Sequence, residues 1–400
     1  MLSKLVAPLA VFAAVLVAMV ALNDGATTPP ALSAGGAPKT AAAYAAQADD
    51  YLTRARETAD ASLYAAAERA VTAALRRDSG NVGALVGAAT LAGLRHDFRG
   101  QLRYGLRARR AAPALASPLT VITDAELELG RYARAARTAQ RLVNWKPGLP
   151  GYARVSYYRE LTGDPAGAAR AMRFAASAGG SPQSAAYVRA LLGDLELARG
   201  RLDAARAAYR DALRDVPSYP QALTGLARLS VARGDLDEAA ALLRRSTDRL
   251  PLTTSLTLLG ETELAAGRAR AGRRHLAAAR EMHAADIAGG GFPDAEAVLF
   301  EANHGSEARA VRLGRSVFRR APSIRSADAL GWALTSAGRP AAGYRWARRA
   351  LRTASRDPMF RLHAAVAARR SGLPGAARAH LEVARPGEAA LSPALRPLLR

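Results

Sequence analysis

Gly193-Asp194-Leu195-Glu196-Leu197-Ala198-Arg199-Gly200-Arg201-Leu202-Asp203-Ala204-Ala205-Arg206-Ala207-Ala208-Tyr209-Arg210-Asp211-Ala212-Leu213, closed by Pro217, reads as two short amphipathic helices around a glycine turn. Small residues stand where the two helices must touch. Nearly the same text returns at Gly234, and more loosely along most of the chain. The turn glycines Gly130, Gly163, Gly200, Gly234, Gly267, Gly305, Gly338 and Gly372 are separated by 33, 37, 34, 33, 38, 33 and 34 residues. A period near 34 is the mark of a two-helix repeat that builds its core by stacking.

Other columns keep the same register. Five residues after each glycine stand Ala135, Ala168, Ala205, Ala239, Gly272, Ala310, Gly343 and Ala377, all small enough to let the second helix approach the first. Seven residues before it the chain is again mostly small, as at Gly193, Ala227, Gly260 and Gly331. Pro147, Pro217, Pro251 and Pro322, seventeen residues after the turn, end second helices because proline cannot continue them.

This pattern resembles the tetratricopeptide repeat family over residues 116–384, in eight units. Two degenerate units precede it within residues 44–115, where His96 replaces the turn glycine and Gln101 the small residue after it. The resemblance implies an all-α, right-handed α-solenoid of helix-turn-helix units whose first helices line a concave groove. Each unit shares its apolar face with its neighbours. Residues 385–400, with Pro386, Pro393 and Pro397, read as a cap on the last unit. Longer connections at 176–184 and 281–294 read as tolerated surface insertions or hinges, or else as loops that carry function.

Half of the 400 residues are hydrophobic but only 6% are aromatic, so closely packed, alanine-rich helices are expected. With no cysteine there is no disulfide, thiol nucleophile or cysteine-based metal site. The formal charge is +23, and of 57 basic residues only Lys4, Lys39 and Lys146 are lysine. Such an arginine bias beside abundant alanine and glycine is what a GC-rich genome writes, and a bacterial source is expected. The charge attracts polyanions at low salt, but nucleic acid is not the expected partner.

Leu5–Leu22 carries no charge and follows Lys4, whereas Asp24 comes after it. Residues 1–22 therefore read as an uncleaved signal anchor, with a cleaved signal peptide as the alternative. The flanking charges put the N-terminus inside and the repeat array outside the cytoplasm, or secreted after cleavage. Residues 23–43, rich in Ala, Gly, Thr and Pro, read as a flexible linker.

No catalytic signature is present: no HExxH, GxSxG or GxxxxGK[ST]. His275 and His283 are two helical turns apart, about 12 Å, too far to share a metal. His363 and His380 fall on paired helices, where packing is the simpler reading. No enzymatic activity, cofactor or metal is expected. The resemblance implies instead that residues six and ten before each turn glycine face the groove. These include Asp124, Tyr157, Asp194, Arg228, Glu261, Leu299, Asp328 and Trp332, acidic and polar in the first half and apolar to aromatic in the second. The family's carboxylate clamp of Lys, Asn and Arg is missing. Arg131, Arg134, Arg137 and Arg141, and Arg268, Arg270, Arg273, Arg274 and Arg280, fall on second helices and read as solvated outer faces. The expected function is a non-enzymatic scaffold that takes a partner polypeptide into the groove. The alternative is an Arg-rich outer face docked on an anionic polymer or lipid surface of the cell envelope.

Overall fold

Each helix stops where the sequence stops it. Four second helices end two residues before Pro147, Pro217, Pro251 and Pro322, and seven of the eight turn glycines take the left-handed conformation, with φ between +67° and +83°. Gly305 is the exception, at φ −128°. The computed structural model describes residues 40–58 and 62–400. The expected anchor at Leu5–Leu22, and the linker as far as residue 39, lie outside the described residues.

Among the described residues the architecture is all-helical, ten helix pairs followed by a short tail. Unit 1 is α1 (Ala41–Thr58) and α2 (Ser62–Arg77), and unit 2 is α3 (Val82–Leu94) and α4 (Phe98–Ala111). Units 3 to 5 are α5 (Ser117–Glu128) with α6 (Tyr132–Trp145), α7 (Leu149–Leu161) with α8 (Pro165–Ser177), and α9 (Pro182–Ala198) with α10 (Leu202–Asp215). Units 6 and 7 are α11 (Pro220–Arg233) with α12 (Leu236–Arg249), and α13 (Thr253–Ala265) with α14 (Ala269–Ala288). Units 8 to 10 are α15 (Ala295–His304) with α16 (Glu307–Arg320), α17 (Ile324–Ser336) with α18 (Pro340–Ala350), and α19 (Pro358–Arg370) with α20 (Pro374–Ala384). Helices pack with their pair partner and with the next unit, which makes the array a tetratricopeptide-like α-solenoid.

The small-residue columns do what close packing requires. Every residue of the column five after the turn is buried. Tyr209 of α10, fully buried, lies between Gly193 of α9 and Gly225 of α11, and a Cβ on either glycine would overlap its ring. In unit 2 the sizes are exchanged: the buried Gln101 side chain fills the space beside Gly93.

The solenoid also closes on itself. The turn of unit 3 lies on the exit loop of unit 8, where the Ile324 N–H donates to Tyr132 Oη at 2.8 Å and Pro322 O sits over Gly130. One unit further, Thr353 Oγ1 donates to Leu161 O at 2.6 Å and Ala354 O covers Gly163. The Pro386 carbonyl covers Gly200, and Arg396 donates to Val231 O at 2.7 Å. Contacts five units apart recur along the chain, so successive superhelical turns touch edge to edge.

The 281–294 segment takes part in this closure. It lengthens α14 and then passes through Gly289–Asp294 to meet the turn of unit 2. There the Phe292 N–H donates to Arg95 O, and His96 Nδ1 donates to Phe292 O, both at 3.0 Å. His96 holds φ +58° in the turn column, and the Arg320 guanidinium lies 3.3 Å from the Phe292 ring centroid. The insertion is therefore a joint between turns rather than a free surface loop.

Two glycine-to-alanine substitutions separate the two demands on glycine. Gly225→Ala overpacks Tyr209 and is expected to cost about 1–3 kcal/mol. Gly267→Ala meets no atom within 4 Å but keeps a φ of +76°, so it is expected to cost only about 1–2 kcal/mol of backbone strain. Urea denaturation, with Tyr209→Ala added to each, checks the assignment: the second change softens the effect of Gly225→Ala and leaves that of Gly267→Ala unaltered.

Candidate functional site

Closure converts the concave side of the array into a lumen of about 300 Å³. The first helices α7, α9, α11, α13, α15, α17 and α19 supply most of its wall, and the tail contributes Leu391, Ser392 and Leu395. The wall is apolar at Leu299, Phe300, Met359 and Phe360, but it also carries the carboxyls of Glu160, Asp194, Glu261, Glu296, Asp328 and Asp357. Arg228 and Arg325 are the cations facing them.

Six of the eight residues expected in the groove line this lumen: Tyr157, Asp194, Arg228, Glu261, Leu299 and Asp328. Each polar one is held by the fold. Asp194 accepts from Tyr209 Oη at 2.8 Å and from Arg228 at 3.3 Å. Tyr157 Oη donates to Glu128 at 2.9 Å. Glu261 Oε1 accepts from His304 Nε2, and Asp328 Oδ2 from His363 Nδ1, both at 2.8 Å.

The other two belong to packing. Asp124 is buried between α5 and α7, ion-paired to the fully buried Arg154 at 2.6 Å, and Arg154 also donates to Thr120 O. Trp332 is packed against Leu362, Val366 and the tail leucines, donates to Asn303 Oδ1 at 2.7 Å, and stacks on His363 with ring centroids 4.3 Å apart. Asp124, Asp194 and Glu261 therefore do not form one acidic surface: Asp194 and Glu261 line the lumen, whereas Asp124 is enclosed with Arg154 between α5 and α7. His363 pairs with Asp328, whereas His380 lies 3.5 Å from Tyr344 Oη. Among the described residues no group of three or more His, Cys, Asp or Glu is placed to hold a metal.

Several lumen residues were not singled out by the groove columns: Glu160, Glu296, Arg325, Asp357, His304 and His363. Glu160 and His304 fall within three residues of a turn glycine, outside the two groove columns, and no spacing marks Arg325. A separate carboxylate column, four residues before the turn glycine, binds neighbouring helices together. Glu196 pairs with Arg173 and Arg199, and Glu263 with Arg244 and Arg268.

The lumen perturbs its own acids. Burial, with Asp357 and Asp194 adding like charge against the pull of Arg325, pushes Glu160 up to about 8. Burial and Asp294 push Glu296 up to about 7. Asp194 and Asp357 are raised by burial, partly offset by Arg228 at Asp194 and by the backbone N–H of Phe360 at Asp357. Burial works against the charge of Arg325, but Tyr157, Glu128 and Glu296 more than offset it and hold the guanidinium protonated. Outside the lumen, burial raises Asp124 to about 6 in spite of Arg154.

A carboxyl whose pKa rises on folding keeps its proton in the native state after the unfolded chain has released it. Between the two values the native state binds more protons, so stability falls as pH rises. For Glu160 that window runs from about 4.5 to about 8. Stability is expected to decline from pH 5 to pH 8, and Glu160→Gln is expected to make the decline shallower and raise the urea midpoint at pH 8. Equal slopes for both proteins remove Glu160 from this account.

The outer faces are different in character. Arg134, Arg137 and Arg141 are exposed along α6 and Arg131 just before it, as are Arg270, Arg273, Arg274 and Arg280 along α14, whereas Arg268 is half-buried and paired with Asp237. Among the described residues no helix is long and apolar enough to cross a membrane.

Residues 190–252 match the tetratricopeptide repeat family model. No curated protein sequence matches the chain. Among solved structures, the human IFIT1 dimer with PPP-AAAA is similar at a TM-score of 0.51 and 15% identity, over 79% of this chain and 73% of that one. The APC/C hetero-tetramer Cut9–Hcn1 gives 0.41 at 15% identity, over 89% and 75%. The MamA protein gives 0.33 at 16% identity, over 43% and 92%. At these identities the likeness is one of fold.

Proposed function

We propose that the protein is a non-catalytic interaction scaffold that receives a short segment of a partner polypeptide in its lumen. The observation that carries this reading is the lumen itself, one cavity built by the first helices of seven successive units. Tetratricopeptide arrays generally serve protein–protein interaction, and the matched repeat and the fold support that class here. The size of the cavity narrows the form of the ligand. At about 300 Å³ it lies at the lower end of ligand pockets, so it suits a side chain or a chain end rather than a whole helix. The carboxyl-rich wall argues against carrying an anionic ligand such as PPP-AAAA over to this chain. Leu5–Leu22 would tether the array to the cytoplasmic membrane, with the repeats outside, or be removed on export.

In-cell photo-crosslinking tests the placement. A photoreactive residue at Leu299 is expected to capture a discrete protein that the same residue at the exposed Leu373 does not. Capture from Leu373 alone assigns the interaction to the outer surface and removes the lumen from it.

A second reading is favoured by one observation, the exposed arginines Arg134, Arg137 and Arg141 on α6, with Arg131 at its start. Such a face would dock electrostatically on an anionic lipid or envelope polymer. Binding to anionic vesicles is then expected to fall steeply between low and physiological salt, and to weaken when Arg134, Arg137 and Arg141 are replaced by glutamine. Retention that is indifferent to both changes excludes this face as the contact.

A further inference from the structure

We propose that the ligand group of the lumen is an organic cation, a primary ammonium or a guanidinium carried on an aliphatic stem. This rests on the lumen being a receiving site, as proposed above, and specifies its chemistry.

Four buried side-chain atoms of the lumen wall are left without a hydrogen-bond partner in the protein: Asp328 Oδ1, Glu261 Oε2, Glu296 Oε2 and His363 Nε2. Asp328, Glu261 and His363 are each at least nine-tenths buried, with 1%, 5% and 1% exposure, and all four residues line the cavity. Asp328 Oδ1 and Glu261 Oε2 are carboxylate oxygens and accept, whereas Glu296, pushed up to about 7 by burial and Asp294, also carries a proton that it can donate. His363 Nδ1 donates to Asp328 Oδ2, which satisfies one oxygen of that carboxylate and leaves Oδ1 open. The second oxygen of Glu261 is open in the same way, because His304 satisfies only Oε1. Donors left unpartnered elsewhere, such as Tyr187 Oη and Arg320 Nε, do not line the lumen.

Buried polar groups are normally paired, and the open carboxylate oxygens of Asp328 and Glu261 call for a guest that donates to both. Charge points the same way. The two lumen arginines already face Asp194 at 3.3 Å and Glu296 at 3.7 Å, so neither is free to balance a further carboxylate. An ammonium supplies three donors and a guanidinium five, each with the charge that makes a hydrogen bond to a carboxylate strong. The apolar part of the wall, Leu299, Phe300, Met359, Leu391 and Leu395, matches a methylene stem. The same cationic group is presented by a free alkylamine and by a lysine or arginine side chain of a partner.

Isothermal titration calorimetry of the purified protein tests this. The probes are 1,5-diaminopentane and agmatine, with 1,5-pentanediol and glutarate as neutral and anionic counterparts. One-to-one binding of an amine is expected, with each counterpart at least about ten-fold weaker. Asp328→Asn and Glu261→Gln are each expected to weaken amine binding by about ten-fold or more while leaving the melting curve cooperative. If Asp328→Asn does not fold, Glu261→Gln at the other open acceptor carries the test. A lysine-containing peptide run alongside separates the sources: preference for the free amine identifies a small molecule, and preference for the peptide a side chain. The absence of amine binding at millimolar concentrations, or equal binding of the diol, overturns the proposal. If the Leu299 crosslink persists in that case, the lumen still receives a partner and only the cationic chemistry fails. Loss of both removes the site.

Discussion

The contact between the turns of units 2 to 5 and the segments that leave units 7 to 10 is the constraint on which the rest of the structure depends. Without it the array would be an open superhelix with a continuous groove. With it, backbone carbonyls at Pro322, Ala354 and Pro386 come down onto Gly130, Gly163 and Gly200, and the concave side narrows to a lumen. Only glycine admits that approach. By contrast Gly234, Gly267, Gly338 and Gly372, with the same positive φ, have nothing within 4 Å. One residue type in one column thus answers two demands, the left-handed turn and the bearing surface between superhelical turns.

Closure changes the electrostatics of the inner face. Carboxyls that an open groove would leave in water are taken into a space bounded by leucine, phenylalanine and methionine, where ionisation is costly. The chain meets part of that cost by pairing: Asp194 with Tyr209 and Arg228, Glu261 with His304, Asp328 with His363. Glu160 illustrates the remainder, a carboxyl pushed up to about 8 by burial and neighbouring acids. Paired and unpaired oxygens on the same side chains make this lumen a polar, strongly directional environment although much of its lining is apolar. The net charge of the protein misleads here, because the arginine excess lies on the outside and the inside is acidic.

The repeat was legible because its packing is local. Ala205, Ala239 and Ala310 are small since the partner helix lies a few residues away in sequence, and the same requirement recurs every unit. The degenerate unit 2 was legible as well, down to the substitution of His96 and Gln101. The meaning of those two residues was not. His96 departs from glycine because it donates to Phe292 across a superhelical turn, and Gln101 because Gly93 makes room for it. Of the residues in the groove columns, Tyr157, Asp194, Arg228, Glu261, Leu299 and Asp328 line the lumen. They did not distinguish Asp124 and Trp332, whose inward positions are filled by Arg154 and by the tail leucines.

By itself the sequence determined the helix pairs and where they turn, since these follow from glycines, prolines and small residues within one period of the chain. The tertiary structure alone decided that the superhelix closes, that the 281–294 segment joins its turns, and that Glu160, Arg325, His304 and His363 meet around one cavity. The physical reason is distance along the chain. Pairs such as His96 with Phe292 and Leu161 with Thr353 lie more than 190 residues apart, and no periodicity of a 34-residue repeat records which units come to rest against each other.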